Sequence, residues 1–377
     1  MSSRVSRSTS ERPVANSSHL ASQLDKQPRV RLFDQEPPLE RLSRLGDALG
    51  IDLWLKRDDC LPLGMGGNKI RQLEYYLGPG VKADADTLLI TGAVQSNFVR
   101  LAAAAACRLG WQAHCQLEDR VPHDDPVYHQ SGNVLLDRLL GAQLHYYPEG
   151  EDEAGADAAL DQLAESLRAE GRKPYVIHLG TDHPPLGALG YVRAVPALLQ
   201  QAEHLGATPD HIVVASGSGQ THSGLVAGLL FTGAEVPVEG ICVRRSAALQ
   251  QPRIAKRVAE VVSLVDPGFF AGAGAAAIEA AIAARVKVDD TVLAPGYGRL
   301  NPAVEEAVRL AARLEGVILD PVYTGRAMAG LIHRVRSGAI AKGASVIFIH
   351  TGGLPGIFAY QQELLAIIGN ETTHERV

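Results

Sequence analysis

Short apolar runs that end near a glycine and hand over to helical stretches recur through most of the chain. Residues 87–91, Thr-Leu-Leu-Ile-Thr, are followed by Gly92-Ala-Val-Gln-Ser-Asn97 and an alanine-rich segment that closes at Gly110. An apolar run bounded by turn residues and followed by a helical period is strand-then-helix punctuation. Further runs at 113–117, 143–147 and 175–179, separated by helical stretches such as 156–169, predict a small parallel sheet. Beyond Leu186, the runs 211–215, 238–243, 291–293 and 346–350 predict a second, larger sheet. Residues 51–56 alternate as a half-buried strand with no sheet of their own, so they are assigned to the larger sheet and the smaller unit becomes an insertion. The expected fold class is therefore α/β, with two domains that each carry a mostly parallel, helix-flanked sheet. Residues 29–70 and 186–377 make the large domain and 71–185 the small one. Residues 1–28 are polar and aperiodic and predict a mobile tail that adds little core. Residues 39–45 read as a short helix, and the alanine-glycine tract 271–277 as the biased opening of another.

The chain has 377 residues, 46% of them hydrophobic and 21% charged, which suits a globular protein with a large core. A formal charge of −6 with no long basic run argues against a nucleic-acid surface. Cys60, Cys107, Cys115 and Cys242 show no paired spacing and fit free thiols in a reducing compartment. No apolar run is long enough for a membrane span, and residues 1–27 have no apolar leader core, so the expected location is the cytoplasm, with no membrane partner.

Candidate chemistry concentrates in glycine turns. In Leu61-Pro-Leu-Gly-Met-Gly-Gly-Asn-Lys69, three glycines precede a lysine that opens a helix with Ile70, Leu73 and Leu77 on one face. A helix N-terminus disfavours an ammonium, so Lys69 is a candidate amine nucleophile, set against the plain reading of an exposed turn lysine. Gly217-Ser-Gly-Gln-Thr221 lies between a strand and a helix and has the form of a phosphate cradle. It is not a Walker loop. His222 also stands where the third glycine of a dinucleotide fingerprint belongs, although Glu239 lies about twenty residues on. Gln95-Ser-Asn97 ends one strand and opens a helix, so Ser96 or Asn97 caps that helix or receives a substrate carboxylate there. Tyr297 and Tyr323 sit beside glycines, as rim packing or as site residues. Thr351 leaves the C-terminal end of a buried strand, where open α/β sheets bind ligands.

A helix-start lysine, a phosphate cradle, carboxylate donors and a strand-end hydroxyl are together what a pyridoxal phosphate enzyme requires. The motifs Gly66-Gly-Asn-Lys69, Gln95-Ser-Asn97, Leu186-Gly-Ala-Leu-Gly190, Thr221-His-Ser-Gly224, Asp320-Pro-Val-Tyr-Thr-Gly325 and His350-Thr-Gly-Gly353 resemble those of the tryptophan-synthase β type of pyridoxal-phosphate enzymes. The similarity spans about residues 30–370. It points to the group containing D-cysteine desulfhydrase, 1-aminocyclopropane-1-carboxylate deaminase and L-cysteate sulfo-lyase. The resemblance implies that fold, called type II, with the active site in the cleft between the two domains.

It also implies pyridoxal 5'-phosphate as cofactor, no metal, a small amino-acid substrate and a homodimer. Lys69 would hold the cofactor covalently and move the Cα proton, and Asn68 would support the ring hydroxyl. Gly217, Ser218, Gly219, Gln220 and Thr221 would grip the phosphate, with Thr324 and Thr351 also on the cofactor. Gln95, Ser96 and Asn97 would orient the substrate, and Tyr297 and Tyr323 would flank it. Three departures bear on the substrate. Thr324 replaces the acidic residue expected of the deaminase, Phe98 replaces a histidine usual in desulfhydrases, and Arg299 replaces a small or apolar residue. An arginine there suits a second anion on the substrate, so the expected activity is α,β-elimination from L-cysteate, releasing pyruvate, ammonia and sulfite. The alternative is D-cysteine with sulfide as product. His183 is a second candidate for the anion, or a turn residue. Ring opening, a nicotinamide oxidoreductase and a binding protein without chemistry are further readings of lower weight.

Overall fold

The computed structural model describes residues 13–180 and 182–372. Among the described residues ten strands form two sheets: β1 (Leu39–Arg41), β2 (Asp52–Lys56), β3 (Thr87–Ala93), β4 (Gln112–Glu118), β5 (Gln143–Tyr147), β6 (Pro174–Ile177), β7 (His211–Ser216), β8 (Val238–Cys242), β9 (Val286–Asp289) and β10 (Ser345–Ile349). The larger sheet runs β1-β2-β10-β7-β8-β9 and the smaller β5-β4-β3-β6. All neighbours are parallel except β1 and β2. The central strands β3 and β10 are buried along their whole length, which is why they read as unbroken apolar runs. β5 is an edge strand whose residues are half-buried or, at Gln143 and Tyr146, exposed.

Apolar clusters cover both faces of the larger sheet and one face of the smaller; a small cluster around Leu89 and Leu160 closes the last. The C-terminal ends of β3, β4, β7, β8 and β10 converge on one cavity, the position open α/β sheets reserve for ligands. Among the described residues no helix is long and apolar enough to cross a membrane.

Three elements differ from the sequence reading. Residues 13–25 of the expected tail form a helix, Pro13–Asp25, in which Leu20 and Leu24, four apart, are 1% exposed and join the core with Tyr191, Val195 and Leu225. One apolar ridge per turn sufficed, and it was hidden among polar residues. Residues 1–12 of that tail lie outside the described residues. Residues 39–41 are an edge strand antiparallel to β2, and the helix begins only at Ser43; leucines at 39, 42 and 45 imitate a helical period across the junction. The strand expected at 291–293 is instead β9, five residues earlier. The ladder stops at Asp289, whose Oδ1 accepts hydrogen bonds from the N–H and hydroxyl of Thr291 in a tight turn. Leu24→Ala is expected to destabilise the protein by about 2–5 kcal/mol, read as a lower denaturant midpoint; an unchanged midpoint would show that the helix 13–25 does not belong to the core.

Candidate active site

The lysine turn is a stretch of backbone that few residues tolerate. Gly64, Met65, Gly66 and Gly67 all have positive φ, and a Cβ on Gly66 would stand 1.8 Å from the Asp59 carbonyl oxygen. The turn is fixed from several sides. Gly67 N–H donates to Asp58 O, Arg100 Nη2 donates to Gly66 O at 2.9 Å, and Asn68 N–H donates to Thr351 O at 3.0 Å. Asp58 and Arg71, both buried, are joined at 3.0 Å. Tyr191 adds a hydroxyl to Asp58, and Arg71 also reaches Glu36. The helix Lys69–Lys82 therefore starts at a defined point, with Lys69 in the cavity wall.

No carboxylate of the described residues pairs with Lys69. Its Nζ lies 5.8 Å from the centre of the Phe98 ring, and burial pushes its pKa down to about 8. Near neutrality roughly a tenth of the amine is thus uncharged, far more than for an exposed lysine.

Across from it, β7 runs into Gly217-Ser218-Gly219, and the helix Gln220–Thr232 begins behind Gly219 at φ +96°. Thr221 Oγ1 accepts hydrogen bonds from Asn68 Nδ2 at 2.8 Å and Gln72 Nε2 at 3.0 Å. With its acceptor capacity taken up, that hydroxyl can only donate. His222 is neutral, its pKa pushed down to about 4 by burial, and bonds to Ser216 and to Val238 O. Its ring lies against Gly240 of β8, where a Cβ would stand 2.2 Å from Nδ1. This packing replaces the close helix–strand contact of a dinucleotide site. Glu239 is bound to Arg334 and His211 rather than free for a ribose, so the nicotinamide reading fails.

Ser96 is the N-cap of the helix Asn97–Leu109 and accepts from Val99 N–H at 3.2 Å. Asn97 Oδ1 accepts from Asn133. Both line the cavity, as do Asn68, Lys69, Gly217, Ser218, Gly219, Thr221, Tyr297, Tyr323 and Thr351. The two tyrosine hydroxyls share a hydrogen bond of 2.6 Å. Burial raises the pKa of both, so near neutrality they are phenols. Asp320 holds Tyr323 in place by accepting the N–H groups of Val322, Tyr323 and Thr324.

Four expected site residues take other places. The Gln95 side chain donates to the carbonyls of Tyr128 and Ser131 and accepts from Asn133 N–H, which ties down the loop 128–133. Thr324 is fully buried with its hydroxyl on Asp320. Gln220 opens its helix without forming a wall of the cavity. Arg299 is exposed and lines a different depression together with His123 and Glu363; its N–H donates to Gly296 O and its carbonyl accepts from Arg326. The Gly-Tyr-Gly turn directs Tyr297 inward and the residue two places on outward. The argument for a substrate anion at Arg299 is lost with that placement. His183 also lies outside the walls.

The walls hold residues that motif reading passed over: Thr91, Glu118, Arg120, Glu153, Asp157, Arg244, Arg245 and Arg253. Glu118 binds Thr91 and Arg120, while Arg244 and Arg245 bind Glu151 and Glu153 across the opening. Arg253 donates to Ser218 O. Several of them follow directly on the C-terminal ends of β4 and β8, and that position was the available signal.

A family model described as pyridoxal-phosphate dependent enzyme matches residues 30–352. D-cysteine desulfhydrase of Salmonella choleraesuis (strain SC-B67) is 43% identical over 338 residues, covering 89% of this chain and 97% of that protein. The protein of the same name from Salmonella typhi is 42% identical over 337 residues, with the same coverage. Among solved structures, an ACC deaminase homologue superposes with a TM-score of 0.79 at 35% identity, covering 93% of this chain and 99% of the other. Escherichia coli diaminopropionate ammonia lyase, at 15% identity and a TM-score of 0.62, shares the fold, covering 95% of this chain and 93% of the other.

Because the neutral amine is the reactive form, capture of a small aldehyde by Lys69 in cofactor-free protein is expected to speed up with pH and level off above about 8. Labelling followed by mass spectrometry, with Lys69→Ala as blank, measures this. A rise that continues to the ordinary lysine range near 10.5 would contradict the effect of burial.

Proposed function

Since the chain belongs to the pyridoxal-phosphate dependent enzymes, we propose that it is a carbon–sulfur lyase acting by α,β-elimination, with D-cysteine as substrate. One molecule of water and one of D-cysteine give pyruvate, ammonia and hydrogen sulfide. The observation that carries the reading is the pairing, in one cavity, of an amine whose pKa burial lowers to about 8 with two phenols kept protonated by burial. Identity to the desulfhydrases over nearly their whole length supports the choice of substrate. The outward position of Arg299 removes the ground for preferring L-cysteate.

The walls fit the cofactor. A hydroxyl that can only donate, on Thr221, stands with the helix N-terminus behind Gly219, as an anionic phosphate requires. An amine with no counter-ion among the described residues stands at Lys69. Bound there, pyridoxal 5'-phosphate supplies the electron sink that lets a proton leave Cα. Gly217, Ser218, Gly219 and Thr221 hold its phosphate, Asn68 its ring hydroxyl, and Thr351 its ring nitrogen. A hydroxyl at that nitrogen, unlike a carboxylate, does not keep it protonated.

Lys69 Nζ takes the Cα proton. Ser96 and Asn97, at the start of their helix, receive the substrate carboxylate. Tyr297 and Tyr323 share one hydrogen bond, which leaves one hydroxyl proton to meet the departing sulfur. Phe98, beside Lys69, makes the base's surroundings apolar and favours its neutral form. Thr324, held on Asp320, offers no acid for opening a ring.

Domain boundaries at 70 and 186 are part of the proposal, supported by the grouping of β3, β4, β5 and β6 in a sheet of their own. A homodimer is the proposed assembly: the helix Gly132–Leu139 and the short helix Gly356–Ala359 pack together and leave Leu135, Leu139 and Phe358 more than half exposed, an apolar area of the kind that pairing covers. The cytoplasm is the proposed location, where free thiols persist.

Purified holoprotein offered D-cysteine, L-cysteine, L-cysteate and aminocyclopropane carboxylate separately is expected to release pyruvate fastest from D-cysteine. Tyr297→Phe is expected to slow turnover roughly 10²-fold without loss of the visible band of the lysine-bound cofactor, whereas Lys69→Ala loses both. Faster release from L-cysteate would return the reading to a sulfo-lyase, and a protein that takes up no cofactor would end it.

A further inference from the structure

The helix Glu153–Ala169 and the segment that follows β6 bring side chains to the rim of the cavity for which the proposed reaction has no use. Asp157, His178 and His183 each offer a donor atom, and these atoms lie within 4.8 Å of one another. His178 Nδ1 stands 3.4 Å from Asp157 Oδ1, and its Nε2 stands 3.2 Å from Asp161 Oδ1. The His183 ring is stacked on His178 with centroids 4.3 Å apart, and its Nε2 is 3.6 Å from Asp182 Oδ2. Two imidazoles therefore sit among three carboxylates. Among the described residues the ion pairs of those carboxylates go to these histidines and to no lysine or arginine. Arg257, itself buried, donates to the backbone carbonyls of Gly180 and His183 and anchors the segment to the helix Ala247–Val265.

We propose that Asp157, His178 and His183 form a binding site for a divalent transition-metal ion of the zinc class at the rim of the cavity. Two donors bound at about 2.0–2.1 Å to a tetrahedral ion stand roughly 3.4 Å apart, which is the separation already present between His178 and Asp157. His183 completes the set by turning off the stack, and its side chain, 37% exposed, has room to do so. Two imidazole nitrogens with one carboxylate suit zinc or cobalt, whereas calcium and magnesium require a shell of oxygens. Three protein ligands leave a fourth position for water or for an incoming thiolate. Asp157 is itself a wall residue, next to Leu179 and Gly180, so an ion held there joins the helix to the segment after β6 and stiffens that side of the entrance.

The test uses holoprotein carrying Cys60→Ser and Cys107→Ser, since both thiols are exposed and would compete for zinc. It is titrated with zinc chloride in a calorimeter and with cobalt chloride by visible absorption. One ion per chain is expected. Binding should weaken at least tenfold in His178→Ala with His183→Ala, and likewise in Asp157→Asn, which keeps the shape of the side chain. Unchanged thermal unfolding in Asp157→Asn distinguishes loss of a ligand from loss of the fold, and His204→Ala, at an exposed histidine elsewhere, should bind as before. Absence of saturable binding, or undiminished binding in the double histidine variant, overturns the proposal.

Discussion

Asp58 and Arg71 are both almost inaccessible and lie 3.0 Å apart, and the geometry of the lysine turn follows from their contact. Asp58 belongs to the turn after β2 and Arg71 to the first turn of the helix that begins at Lys69, so the pair clamps the two ends of the glycine segment together. Removing one partner from such a buried pair leaves an uncompensated charge, at a cost of about 3–5 kcal/mol. The pair is also closely fitted. Tyr191 and Glu36 take up its remaining hydrogen-bonding capacity, and a Cβ on Gly190 would stand 2.1 Å from Arg71 O. The left-handed backbone of the turn, unfavourable by itself, persists because both of its ends are held.

Burial then acts on both sides of the cavity with opposite chemical results. It lowers the pKa of an amine and raises that of a phenol, because in each case it disfavours the charged form. One cleft therefore lowers the pKa of Lys69 and raises those of Tyr297 and Tyr323, with no carboxylate of the described residues paired to the lysine and the two phenols bonded to each other. The Glu118–Arg120 pair stands nearby as a matched charge and does not reverse this.

Much of the fold could be read in the chain because strands buried on both faces appear as apolar runs, and β3, β4, β7, β8 and β10 did so. The failures have physical causes. In the helix 13–25 two leucines do the packing among polar neighbours, and at 39–45 a leucine spacing spans a strand and a helix. At the site, the glycine turns announced Lys69 and the 217–221 loop, since few other residues could adopt those backbones. Gln95 and Thr324 lie in the same motifs as Ser96, Asn97 and Tyr323 but serve the turns themselves, and motif membership cannot separate the two duties. Arg299 shows the limit of sequence adjacency, for it is two residues from Tyr297 and faces away from it. The wall arginines carry no motif, because their position depends on where parallel strands end in space.

The bonds from Arg244 and Arg245 to Glu151 and Glu153 give the entrance an unusual material. They join the segment after β8, in the larger sheet, to the start of a helix that leads into the smaller one, so the doorway is fastened by charge rather than by hydrocarbon. Partly exposed pairs of this kind weaken as dissolved ions accumulate. An apolar seal would not be loosened by such screening. This doorway is weakened by it, and how firmly the two sides of the cleft are held together becomes in part a property of the solution outside the protein.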